Sequence, residues 1–227
     1  MDELRAVDAL GSGWLAGILI LAVGMLAWVQ MVSPRQWVVL SKSFGAFRLG
    51  RHRLREELDM RDRTLTGLAV MSTVVIALFG YQIFLYNDWI QHGIMGFLQI
   101  LLVVTLVILA QLALLQTIRL LPALDGGLEE YLYTVIVFHV VLGLLLLPVV
   151  ALMSFPGKVL WREWIWLVGL AIVGATILFR WVRAVVVGMG NGTPLRYIFL
   201  YLCTLEILPA ALALEQARHF VPPMHHP

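Results

Sequence analysis

The chain has 227 residues, of which 61% are hydrophobic and 13% are charged. This composition excludes an ordinary soluble protein, and runs long enough to span a bilayer leave no room for a separate soluble domain. The net charge of +2 is too small to indicate nucleic-acid binding, and a single cysteine excludes an intrachain disulfide.

Six apolar stretches, each bounded by charged or turn-forming residues, predict six transmembrane helices. Helices are expected because lipid cannot pair the backbone groups of an open sheet, and the alternation typical of barrel strands is absent. The predicted fold class is therefore all-α, a polytopic membrane bundle in one integral membrane domain over residues 1–227. The predicted spans are 14–32, 64–86, 93–118, 129–152, 164–183 and 195–213.

The segment 33–63, between spans one and two, has helical periodicity of its own. Its apolar residues recur at steps of three, four and seven, with Arg48, Arg51 and Arg55 interleaved. The pattern predicts a basic amphipathic cytoplasmic helix. Such a helix could lie on the inner leaflet with its arginines on anionic head groups, or it could pack on the protein's own inner face.

The distribution of lysine and arginine predicts the orientation of the chain. Twelve of the sixteen basic residues fall on the side that holds segment 33–63, and four fall on the other side. Basic residues in short loops stay on the cytoplasmic side of a membrane. We therefore expect both termini on the periplasmic side and segment 33–63 in the cytoplasm.

Helix rise predicts which polar side chains share a depth in the membrane. His139 and Glu206 lie ten and eleven residues along spans four and six, which places both about 15 Å from the cytoplasmic ends. Counted from the other side, Thr105 and Thr176 reach a similar level. The hypothesis is a buried polar site among spans three to six, with the first helix peripheral. Its candidate residues are Glu206, His139, Thr105, Thr176 and Cys203.

Glu206 is the strongest candidate because an acid near the bilayer midplane is expensive and is by default a functional residue. Pro209 frees the carbonyl of Leu205, so a kink and the acid coincide. The acid could be neutral and donate a hydrogen bond, or ionised beside His139. It could also simply join helices, as other intramembrane polar groups do.

A glycine-rich turn, residues 188–194, is flanked by Arg180, Arg183 and Arg196. Backbone donors and arginines there could hold a lipid phosphate or another anion. The alternative is a tight turn with arginines that reach the cytoplasmic interface. No metal site or cofactor is expected, because the tail histidines His219, His225 and His226 are too few and have no fixed spacing.

Two segments are distinctive: Leu200-Tyr201-Leu202-Cys203-Thr204-Leu205-Glu206-Ile207-Leu208-Pro209, and Phe179-Arg180-Trp181-Val182-Arg183 before the glycine-rich turn. In these segments the chain resembles an integral membrane family known mainly from Bacteroidota and catalogued as domain of unknown function four-two-seven-one. The resemblance implies a bacterial inner-membrane location and makes 200–209 the family's hallmark. It implies no catalytic residue.

Two classes of function remain in front. The first is a non-enzymatic inner-membrane component, an accessory or interaction subunit of a cell-envelope assembly. Its partners would be membrane lipids and another membrane protein or a second copy of the chain. The alternative is a small proton-linked carrier in which Glu206 titrates. The unequal connections 33–63 and 153–163 argue against an inverted repeat and favour the accessory role. An enzyme ranks third, because no catalytic motif is present.

Overall fold

The structure is a computed structural model, and it describes residues 13–32, 63–87, 89–90, 92–119, 128–154 and 159–190. Several predictions fall outside these residues and stay predictions. They concern the sixth span 195–213, the amphipathic segment up to residue 62, and the side chains of Glu206, Cys203, Arg196, Arg48, Arg51 and Arg55.

All five elements of the described chain are α-helices. They are α1 (Gly13–Val32), α2 (Arg63–Tyr86), α3 (Ile94–Arg119), α4 (Leu128–Ser154) and α5 (Val159–Gly190). Each contains a stretch long and apolar enough to cross a membrane. The first five predicted spans are therefore confirmed as helices. The fifth helix is longer than its span at both ends, because helix-compatible residues continue past the apolar stretch at Trp164–Arg183.

Consecutive helices alternate in direction. Met25 of α1 contacts Gly67 near the start of α2, whereas Trp14 at the other end of α1 contacts Tyr81. The same antiparallel arrangement relates α2 to α3 and α4 to α5. As a result α2 and α4 run parallel, and residues 68 positions apart lie side by side, as Ser72 and Val140 do.

The turn between α2 and α3 requires a glycine. Gly93 has a φ of 133°, a conformation that side-chain-bearing residues rarely adopt. Its backbone N–H donates to the hydroxyl of Tyr81 at 3.1 Å. The rings of Trp14, Tyr81 and Phe97 pack together beside this turn. This aromatic cluster fixes where α3 leaves α2.

The core lies along the contact of α2 with α4. In the apolar stretches of these two helices, 56% and 50% of the residues are buried. The corresponding share is 6% in α3, so that helix lies on the outside and exposes a row of leucines. The row consists of Leu98, Leu102, Leu106 and Leu109. The central pair is therefore formed by helices that are not consecutive in the chain.

Candidate functional site

The polar interior of the bundle is built where α2 and α4 run side by side, beginning with His139. Its Nε2 lies 3.0 Å from the hydroxyl oxygen of Thr73 on α2. That hydroxyl also lies 2.9 Å from the carbonyl of Ala69, to which it donates its one hydrogen. Nε2–H of His139 therefore donates to Thr73, which assigns the proton to Nε2. Both residues lie close to the middle of their helices.

Ser72 provides a second link one position earlier. Its hydroxyl donates to the carbonyl of Val140 at 3.2 Å and is fully buried. The helices approach so closely here that a Cβ built on Gly143 would lie 2.5 Å from the Cα of Ser72. Small residues allow such close approach in membrane helices. The backbones of α2 and α4 are therefore in direct contact at this level.

Gln82 forms a third link near the other end of the same contact. Its Nε2 donates to the hydroxyl of Ser154 at 2.7 Å and to the carbonyl of Val150 at 3.3 Å. The Ser154 hydroxyl itself donates to Val150 at 2.9 Å, so the amide must present its NH₂ to this pair. Among the described residues, the Oε1 atom of Gln82 is buried and has no hydrogen-bond partner.

The arginines of α5 lie against α4. Arg183 is 2% exposed, and its guanidinium carbon lies 5.8 Å from the ring centroid of Phe138. That distance fits a cation–π contact. Arg180 lies three positions before Arg183 on α5, so it shares that side of the helix. Contact of these two side chains with lipid head groups or another anion stays a prediction.

The structure describes both threonines of the predicted polar site, Thr105 and Thr176. Neither is hydrogen-bonded to His139. The hydroxyl of Thr105 donates to Leu101 at 2.7 Å, and the hydroxyl of Thr176 donates to Ile172 at 2.8 Å. Both are bonds to the preceding turn of the same helix. Short hydroxyl side chains commonly bond there when no partner is near.

The sequence-based hypothesis left out α2, the helix that gives His139 its partner. Ser72, Thr73 and Gln82 all lie within the predicted span 64–86, so the signal was present as polar residues in an apolar run. They were missed because the depth comparison did not include span two. The direction of the helices explains the contact: because spans two and four are parallel, Thr73 and His139 lie at the same depth.

A protein-family comparison identifies the family of this chain. The model of the family described as Domain of unknown function (DUF4271) matches residues 15–215. The chain belongs to this family. The match covers all five described DUF4271 helices almost completely, and it extends over the predicted sixth span. It confirms the resemblance found in the sequence.

The family description assigns no activity to DUF4271 chains. No curated protein and no solved structure matches this one. Within the described residues of the DUF4271 chain, no group of three or more histidine, cysteine or acidic residues could hold a metal ion. The geometry of the polar interior is therefore the basis on which a function is proposed.

Proposed function

We propose that the protein is a non-enzymatic component of the bacterial inner membrane, an accessory or interaction subunit of a cell-envelope assembly. The observation that carries this proposal is that the polar side chains of the core form hydrogen bonds between helices. Ser72, Thr73 and Gln82 each bond across the contact of α2 with α4. Side chains used in this way join helices rather than line a path for a solute.

The outer surface supports the same proposal. The leucine row of α3 and the outer face of α5 are exposed and apolar. Lipid or a neighbouring membrane protein could cover such faces, because both are apolar. The proposed orientation has both termini in the periplasm and the basic segment 33–63 in the cytoplasm, as the positive-inside rule predicts.

Crosslinking in native membranes, followed by purification, tests the accessory role. A partner protein recovered in a fixed ratio to this chain supports the proposal. Changing Leu102 and Leu109 to tryptophan should reduce its recovery if α3 makes the contact. Changes at Ile20 and Leu21, which are at least as exposed on α1, are the matched control. Recovery of lipid alone, under conditions that capture known complexes, would contradict the proposal.

A small proton-linked carrier is the second candidate. It is favoured by an imidazole held at mid-helix beside the Thr73 hydroxyl. In this case Glu206 would change protonation as substrate moves. Glu206→Gln keeps shape and hydrogen bonding but removes the titration. A carrier should lose transport-linked growth or proton uptake, whereas an accessory subunit should retain its partner at wild-type recovery.

A further inference from the structure

The side of α3 that faces away from the bundle carries a heptad stripe. Its members follow one another at steps of four, three, four, three and four, and each of them is exposed. They are Met95, Gln99, Leu102, Leu106, Leu109 and Ala113. A repeat of about 3.5 residues is the spacing at which one helix pairs with another in a left-handed supercoil. The stripe therefore has the period of a helix–helix contact, which contact with lipid does not require.

The opposite side of α3 already packs on the bundle. Phe97 and Leu115 are buried there, and Leu101 and Val104 pack against the core. The four large apolar side chains of the heptad stripe are instead between 56% and 73% exposed. The stripe is therefore available to a further helix while α3 keeps its place beside α2.

Gln99 places an amide on the stripe, inside the membrane. The span Ile94–Thr117 has 24 residues. It is about 36 Å long against a hydrocarbon core of about 30 Å, so Gln99, about 8 Å from its end, lies within the core. The side chain is exposed, and no described residue is hydrogen-bonded to it. Lipid tails cannot bond an amide, so a helix that covers the stripe should supply a polar group at this depth.

A second copy of the chain supplies that group by symmetry. Two copies of one membrane protein have the same orientation in the bilayer, so a two-fold axis along the membrane normal relates them in a symmetric pair. Their α3 helices then run parallel, and each residue of the stripe meets its own counterpart at the same depth. An amide has both donors and an acceptor, so the side chain of Gln99 can bond to the same side chain of the second copy.

The stripe is also large enough for a stable contact. It extends from Met95 to Ala113, which is about 27 Å of helix. An exposed leucine or methionine of this kind leaves roughly 100 Å² open, so the stripe and its flanking side chains offer on the order of 600 Å² per copy. A typical specific interface buries about 800 Å² per partner, so the two areas are comparable.

We propose that the heptad stripe of α3 pairs with the same stripe of a second copy of this chain, with the two Gln99 amides hydrogen-bonded across the two-fold axis. The inference rests on the interaction role of the proposed function and names the partner at this face. A polar residue within a heptad stripe fixes the register of the pair. Gln99 therefore sets the alignment, and the leucines supply most of the contact area.

Disulfide crosslinking of the full chain in native membranes tests the pairing. In a Cys203→Ala background, Leu102→Cys, Leu106→Cys and Leu109→Cys each place a thiol on the stripe. Oxidation should convert most of the chain into a disulfide-linked dimer, because equivalent positions face each other in a parallel pair. Leu178→Cys is the matched control, since Leu178 of α5 is 60% exposed, compared with 56% for Leu109, and lies off the stripe.

Two results would overturn the pairing. Equal dimer yields from Leu109→Cys and Leu178→Cys would indicate chance encounters in the membrane. The absence of a dimer at all three stripe positions would indicate that lipid, another protein or another part of the same chain covers the stripe.

A measured dissociation constant tests the role of the amide. Energy transfer between labelled copies in phosphatidylethanolamine–phosphatidylglycerol vesicles gives this constant. Gln99→Leu should raise it about tenfold, because the interhelical hydrogen bonds are lost. Gln99→Asn keeps an amide and should stay close to wild type. No change for Gln99→Leu, or equal changes for the two variants, would refute the amide pair.

These results are distinguishable from a failure of the proposed function. A captured envelope partner without dimers would reject the second copy at this face and leave the accessory role in place. Dimers that form without any captured partner would support the pairing and reject the accessory role.

Discussion

Gly143 of α4 lies against the backbone of Ser72 in α2, and a Cβ at Gly143 would fall 2.4 Å from the Cβ of Ser72 and 2.5 Å from its Cα. The contact is between backbones, so no rotation of a side chain can relieve it. It also holds the Ser72 hydroxyl within 3.2 Å of the Val140 carbonyl. The hydrogen bonds of the core depend on this close approach.

Gly143→Ala should therefore destabilise the protein by about 3 kcal/mol, the upper part of the range for overpacked cores, because the two central helices must separate. Thermal unfolding in detergent measures the effect. Gly24→Ala is the matched control, since nothing lies within 4 Å of a Cβ at that helical position. A Gly143→Ala variant as stable as Gly24→Ala would contradict the close contact.

Gly169 of α5 should behave differently. A Cβ there would lie 2.4 Å from the ring edge of Phe79, so a side chain rather than backbone is in the way. We expect Gly169→Ala to cost about 2 kcal/mol and Phe79→Leu to recover much of that loss in the double variant. Unfolding temperatures of the two single variants and the double variant give the coupling. Simple addition of the two losses would show that Phe79 does not pack on Gly169.

Thr73 should stabilise the folded protein through its hydrogen bond with His139. Thr73→Val removes the acceptor of the Nε2–H group and should cost about 1–2 kcal/mol, whereas Thr73→Ser keeps the oxygen and should stay close to wild type. The free energy of unfolding measures both. Thr117→Val is the control, because that exposed hydroxyl bonds only within its own helix. Equal effects at positions 73 and 117 would argue against the link to His139.

Two substitutions at Gln82 should separate the loss of its hydrogen bonds from the repulsion between buried oxygen atoms. Gln82→Leu removes two donated bonds, but the Ser154 hydroxyl still donates to Val150. Its cost should be about 1–2 kcal/mol. Gln82→Glu should cost more, because carboxylate oxygens would then face the Val150 carbonyl. Gln116→Glu, on the exposed side of α3, is the control. A glutamate at position 82 that is tolerated better than leucine would refute the bonding scheme.

The sequence could predict the depth of the candidate site's residues along their helices, but it could not predict their contacts. Counting helix rise put His139 near the middle of α4, where the structure has it. The same count grouped it with Thr105 and Thr176, whose hydroxyls bond to their own helices. Depth along a helix follows from residue numbers. The direction in which a side chain points across a bundle depends on which helix is its neighbour.

The sequence by itself determined the class of the protein and the bounds of five helices to within a few residues at most ends. These follow from composition and from the length needed to cross the hydrocarbon core. Only the tertiary structure decided that α2 and α4 form the central pair while α3 lies outside. Lipid is as apolar as a protein core, so an apolar helix carries no hydrophobic signal for its inner face. The pairing is set by close contacts such as Ser72 with Gly143 and by hydrogen bonds such as Thr73 with His139.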